Sequence, residues 1–134
     1  AGGATMGHPN EDLIRRGYDA FSRGDMDTLR ELFHPDIVWH APGRSQLAGD
    51  HRGVDAVFGF FGQVMELSGG SFRVELHDVV ANDEHAVGLH KGHAERAGRT
   101  LENNGSLVFH VRDGKVTEVW QSWADPYAAD ELFA

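Results

Sequence analysis

His90, Asn103 and Gln121 are the residues of this chain whose types suit proton chemistry. A neutral imidazole near pH 7 can take or give a proton. The carboxamides of Asn103 and Gln121 can donate hydrogens to a carbonyl or a developing oxyanion, and Asp78 could orient the His90 ring. Whether these groups meet depends on four alternating apolar runs, at 71–82, 84–97, 99–112 and 115–123, and on which way their side chains point.

Turn chemistry decides that. Arg96-Ala97-Gly98-Arg99 suits a two-residue hairpin turn, which sets His90 opposite Gly105, Gly88 opposite Leu107 and Gly92 opposite Asn103. Arg112-Asp113-Gly114 suits a three-residue turn with a bulge at Gly114, setting Leu107 against Val119, Gly105 against Gln121 and Asn103 against Trp123. A plain two-residue turn there would flip the last strand and present Trp120 in place of Gln121. A three-residue turn at Asn82-Asp83-Glu84 adds Phe72, Val74, Leu76 and Val80. One face then carries these apolar residues with Leu107, Phe109, Val119 and Trp123, and also Asp78, His90, Asn103 and Gln121. Unpaired polar groups are costly in a dry interior. Gly88, Gly92 and Gly105 would leave room beside them, so a small-molecule pocket is expected. The alternative is that the glycines only let the sheet bend and the polar groups satisfy one another.

The opposite face reads Val87, Leu89, Lys91, Val108, His110, Val116, Trp120 and Ser122. It is too apolar for a wholly solvated surface, so a homodimer through Val108, His110 and Trp120 is expected.

The elements that position these runs are legible from caps and periodicity. Asn10 is a good N-cap for a first helix carrying Ile14, Tyr18 and Phe21 and ended by Gly24. Asp25 caps a short second helix stopped by Pro35. A strand follows at 36–42, then an irregular, Gly-rich loop or lid at 43–53. Val54, Val57, Phe58, Phe61 and Met65 mark a third helix. Asp125-Pro126 starts a short terminal one. The expected fold class is α+β, a conical curved antiparallel sheet with three N-terminal helices over a pocket and a short C-terminal helix. Residues 1–7 read as an appended, disordered leader with Met6 the native start, and 8–134 as one domain.

A net charge of −9 argues against a nucleic-acid partner, whose phosphates need clustered Lys and Arg. No apolar run is long enough for a membrane span. The lack of cysteine fits a reducing cytoplasm. His90 and His93 fall on opposite faces of their strand and no Cys completes a tetrahedral set, so neither a metal nor another cofactor is called for.

The segments "YDAFSRGDMDTLRELFHPDIVWHAPG", "LAGDHRGVDAVFGFF" and "FHVRDGKVTEVWQSWADPYAADELF" resemble the nuclear-transport-factor-2-like superfamily, in its SnoaL-like and ketosteroid-isomerase-like branch. The resemblance implies a cone-shaped sheet around a pocket, usually in a homodimer. It places the isomerase base at Ala41, or at His40 if the alignment slips by one, and the isomerase tyrosine at Gly17, beside Tyr18. The isomerase's acidic oxyanion donor falls at Leu107, and the acid of the cyclases at Gln121. Each position lacks the ionisable group that mechanism uses.

Tyr18, Trp39, His40, Phe58, Phe61, Leu107, Phe109 and Trp123 are therefore expected to contact ligand, with His90, Asp78, Asn103 and Gln121 as the catalytic set. Two functions remain open. One is a cofactor-independent enzyme of isomerase, cyclase or hydrolase type, acting by general acid–base chemistry on a small, largely apolar substrate. The other is a non-catalytic binder with the same pocket.

Overall fold

The computed structural model describes residues 7–134, so the expected leader lies almost wholly outside the described residues. Helix α1 spans Pro9–Arg23. Its cap is His8, not Asn10: the His8 ring accepts from the Asn10 N–H at 3.1 Å. Pro9 suits the first helical position because its φ is already helical. Asn10 is buried instead and donates to the carbonyls of Asn82 and Asp83 at 2.9 and 3.0 Å, tying the helix to a strand turn. Gly24 ends α1 at φ 68°, a left-handed value that favours glycine. Helix α2 (Met26–Leu32) is capped by Asp25 as the sequence predicts.

Strand β1 (Phe33–Ala41) begins as soon as α2 ends, three residues before its expected start. Pro35 has no N–H to give, and the register against the neighbouring strand is broken between Phe33 and Val38. The loop expected at 43–53 contains a short strand, β2 (Gly49–Arg52), paired antiparallel with β1. Helix α3 (Val54–Leu67) follows. Strands β3 (Arg73–Ala81), β4 (His85–Arg96), β5 (Arg99–Arg112) and β6 (Lys115–Trp123) form the long meander. Helix α4 (Pro126–Leu132) closes the described chain, capped by Asp125 as predicted.

The sheet runs β2-β1-β6-β5-β4-β3, with β1 and β6 parallel and the other pairs antiparallel. It is an α+β cone, and the helices cover its concave face. Ile37, Val57 and Val119 are sealed between the layers. No helix among the described residues is long and apolar enough to cross a membrane.

Two bulges set which residues face inward. The β4–β5 register is the predicted one throughout, with Ala97 and Gly98 both at positive φ in a two-residue turn. The β5–β6 turn also has two residues, Asp113 and Gly114, contrary to the three-residue expectation. That turn alone would turn Gln121 outward. Thr117, however, is an extra residue in β6, between the pairs Val111–Val116 and His110–Glu118, and it restores the parity. Gln121 therefore faces inward and lies opposite Leu107, while Trp120 faces outward and is 38% exposed. The predicted pairs are each displaced by two residues, and Val116, before the bulge, is buried inside, not on the outer face.

In the first hairpin the extra residue is His77. Beyond it Val79, not Val80, points inward, leaving Val80 55% exposed. Asp78 is turned out with Val80 and bonds Arg15 at 3.1 Å.

Candidate functional site

A cavity open to solvent on one side lies between the concave sheet and helices α1 and α3. Phe21, Phe60, Phe61 and Val64 wall it from the helices, and Val74, Leu107, Phe109 and Trp123 from the sheet. Aromatic edges set the shape of the wall: Trp39 meets Phe61 at 5.1 Å and 89°. Among the described lining residues none is Lys or Arg, and the one carboxylate, Asp130 of α4, sits against the loop at 43–48. Asp130 accepts from the Arg44 and Ser45 N–H groups at 3.0 and 3.2 Å. A Cβ on Gly43 would strike it, and φ at Gly43 is 93°, so glycine fits there for two reasons.

His90 is 6% exposed and lies on the cavity wall, as predicted. Its Nδ1 is 2.8 Å from the Tyr18 hydroxyl. Burial pushes the imidazole down to about 4 and the Tyr18 phenol well above its ordinary value. The ring is thus neutral at pH 7 and the phenol keeps its proton. The hydroxyl can donate to Nδ1 in this bond, and the ring hydrogen then sits on Nε2. Nε2 has no hydrogen-bond partner among the described residues, and no side-chain nitrogen or oxygen there is both sealed and unpaired. Nε2 lies over Gly105, beside Trp123, and is not fully sealed from the cavity.

Three glycines seat these side chains, and none lends its space to a ligand. A Cβ at Gly88 would come within 2.4 Å of the Tyr18 hydroxyl, and one at Gly92 within 2.7 Å of Trp123. At Gly105 it would meet His90 Nε2 at 2.9 Å. The glycine pattern was visible in the sequence, and it signals the Tyr18–His90 pair, which sequence reasoning missed.

Gln121 also lines the cavity. Trp39 donates its indole N–H to Gln121 Oε1 at 3.0 Å. An indole only donates, so the amide orientation follows from the chemistry, and the Gln121 NH₂ has no partner among the described residues.

Four expected residues lie elsewhere. Asn103 is buried, but its amide clips the start of α4, donating to the Asp125 carbonyl at 2.7 Å and accepting from its N–H at 3.1 Å. Asp78 points outward to Arg15 and cannot orient His90; Tyr18 does so. His40 lies on the outer face between Asp50 and Glu118, because strand parity puts its neighbour Trp39 inside. Phe58 is rotated away from the cavity, with Arg30 stacked on its ring at 4.9 Å, and Phe60 takes its place. Tyr18, Trp39, Phe61, Leu107, Phe109 and Trp123 all line the cavity.

A family model described as a SnoaL-like domain matches residues 14–119. An uncharacterised protein of Mycobacterium tuberculosis is 36% identical over 124 residues, covering 92% of this chain and 95% of the relative. Among solved structures, Bal32a from a soil-derived mobile gene cassette superposes with a TM-score of 0.91 at 41% identity, over 94% of this chain and 97% of that one. TerC, co-crystallised with polyporic acid, superposes at 0.83 and 25% identity, over 94% and 98%.

Proposed function

The chain belongs to the SnoaL-like family of the nuclear-transport-factor-2-like superfamily, a fold built around a small-molecule pocket, and from that premise we propose a cofactor-independent enzyme acting by acid–base chemistry on a small, largely apolar carbonyl compound. One observation carries this reading: a histidine kept neutral by burial, and hydrogen-bonded to the half-buried Tyr18, lines a largely apolar cavity.

The roles differ from those the sequence suggests. His90 donates from Nε2 to the substrate oxygen and stabilises the enolate charge that develops as a water at the cavity mouth takes up the proton of a neighbouring C–H. Tyr18 is a positioning residue, since its hydroxyl bonds His90 Nδ1. The low-dielectric walls strengthen the His90 contact by excluding water. The co-crystal of TerC with polyporic acid supports a ligand-holding cavity in this fold.

The test needs no named substrate. Cyclic ketones incubated with the protein in D₂O should exchange the hydrogens beside the carbonyl, followed by NMR. His90→Gln should slow that exchange by about 10²–10³-fold, as for the loss of an oxyanion donor, with the fold retained. A ketone that binds in the cavity without exchanging would sink the enzymatic reading. The second reading, a non-catalytic binder, is favoured by the low basicity of His90 and by the absence of a free carboxylate beside it among the described lining residues.

We further propose that two copies pair through the outer sheet face. Trp120 and Leu89 are 38% and 40% exposed there, beside Val108 and His110.

A further inference from the structure

We propose that His85 and His110, on the outer face of the sheet, form a two-histidine site for a divalent transition ion, with Cu²⁺ the tightest. The site is separate from the cavity and does not rest on the function proposed for it. The two residues lie on neighbouring strands, directly opposite each other in the β4–β5 register. Ala86, Phe109 and Val111 point inward and are buried, so both histidines point outward. The Val111 N–H bonds the Glu84 carbonyl at 2.9 Å. That bond flanks the His85–His110 pair, which is therefore one of the ladder's non-hydrogen-bonded pairs. Such a pair has its Cα atoms about 4.5 Å apart and its side chains close together. The two imidazole centroids accordingly lie 4.6 Å apart, with the rings 20° from parallel.

The ring nitrogens of this pair are uncommitted. His8, His34, His40, His51, His90 and His93 each bond through a ring nitrogen within the fold. Among the described residues neither His85 nor His110 has such a bond, although their backbones do. His77 lacks one too, but it is the bulged residue of β3 and faces no second histidine.

Neutral imidazole is the commonest protein ligand for transition metals. Rotation about χ2 is broad for histidine, so each ring can turn one nitrogen toward a shared ion at about 2.0–2.1 Å. Among the described residues no three His, Cys, Asp or Glu side chains are placed to hold a metal. The pair is therefore bidentate, with water in the remaining positions, and is not a closed cage. Two nitrogen ligands disfavour Ca²⁺ and Mg²⁺, which take oxygen. Among divalent first-row ions the general order of affinity puts Cu²⁺ above Ni²⁺ and Zn²⁺. Once one imidazole holds the ion, the second meets it at high effective concentration. The pair should then bind roughly 10²-fold more tightly than a lone surface histidine.

The test titrates the full chain with Cu²⁺, Ni²⁺, Zn²⁺ and Mg²⁺ by calorimetry, in a buffer that binds no metal. Trp120 lies 6.0 Å from His110, ring to ring, so bound Cu²⁺ should also quench its fluorescence. The tight site should take one Cu²⁺ per chain, and Mg²⁺ should not compete for it. His85→Gln and His110→Gln should each weaken Cu²⁺ binding by roughly 10²-fold and remove the quench, with the circular dichroism unchanged. His34→Gln, at a histidine elsewhere on the surface, should alter neither readout. Trp120→Phe should lose the quench and keep the ion. Unchanged Cu²⁺ binding in both variants of the pair, an equal loss in His34→Gln, or competition by Mg²⁺ would overturn the site. So would one ion per two chains, which would place the metal between copies and not within one.

Discussion

His90 and His40 sit on opposite faces of one sheet, and their environments drive them in opposite directions. His90, under α1, is surrounded by Tyr18, Trp123 and cavity wall, and burial lowers it to about 4. His40, on the outer face, bonds Glu118 and Asp50 at 2.6 Å each, stacks on Trp120, and is raised by those two carboxylates. The same side chain is held neutral in one place and favoured as a cation in the other. Residue type alone therefore says little about chemistry here. The strand parity that chooses the face says more.

The largest consequence lies in the acid limb of stability. An unfolded histidine protonates near pH 6.5, whereas folded His90 resists a proton until about pH 4. Its depressed value means that the unfolded state binds the extra proton between those limits. The contribution of neutral His90 is thus complete above pH 6.5 and is lost as pH falls toward 4, by roughly 3 kcal/mol. Denaturant melts of wild type and His90→Gln across pH 4–7 should show the steeper acid loss in the wild type. Parallel curves would mean that the folded protein protonates His90 easily.

The outer face yields the next effect. Trp120 presents a large exposed ring beside Val108 and His110. In the proposed pair of copies, Trp120→Glu would bury a charge at the interface and should shift sedimentation from dimer to monomer. A dimer that survives the change would place the interface elsewhere.

These contrasts also show what the sequence could and could not reveal. The β4–β5 register was readable because Ala97-Gly98 admits one tight turn and both strands run unbroken. The placement of Gln121 was also readable, although by compensation: a shorter turn and an extra Thr117 cancel in parity. Asp78 and Val80 were misplaced because the turn holds four residues, 82–85, and not three; the extra His77 restores the expected parity only beyond it, at Leu76 and Val74. Phe58 was misplaced because Phe58, Phe60 and Phe61 give a helix face that can rotate by one position. Asn103 was correctly placed inside, but its partner is the backbone at Asp125, a contact across the fold that no local pattern announces. The Tyr18–His90 bond spans 72 residues, and only the glycine at 88 hinted at it.

The smallest effect belongs to His40 and should have the opposite sign to that of His90. Its neighbours are Asp50 and Arg52 from β2 and Glu118 and Trp120 from β6, with Arg52 3.5 Å from Asp50. The two carboxylates hold the folded ring protonated above its ordinary value. The stabilisation from its charge is then full below the unfolded value of about 6.5, and it fades as pH rises through the folded one. His40→Gln should therefore cost most near pH 6 and least near pH 9, within the small range of partly exposed ion pairs, and less in high salt. His90→Gln would flatten the acid limb, whereas His40→Gln would flatten the alkaline one. If both variants tilt the stability curve the same way, the two faces of the sheet do not differ electrostatically as their contacts require.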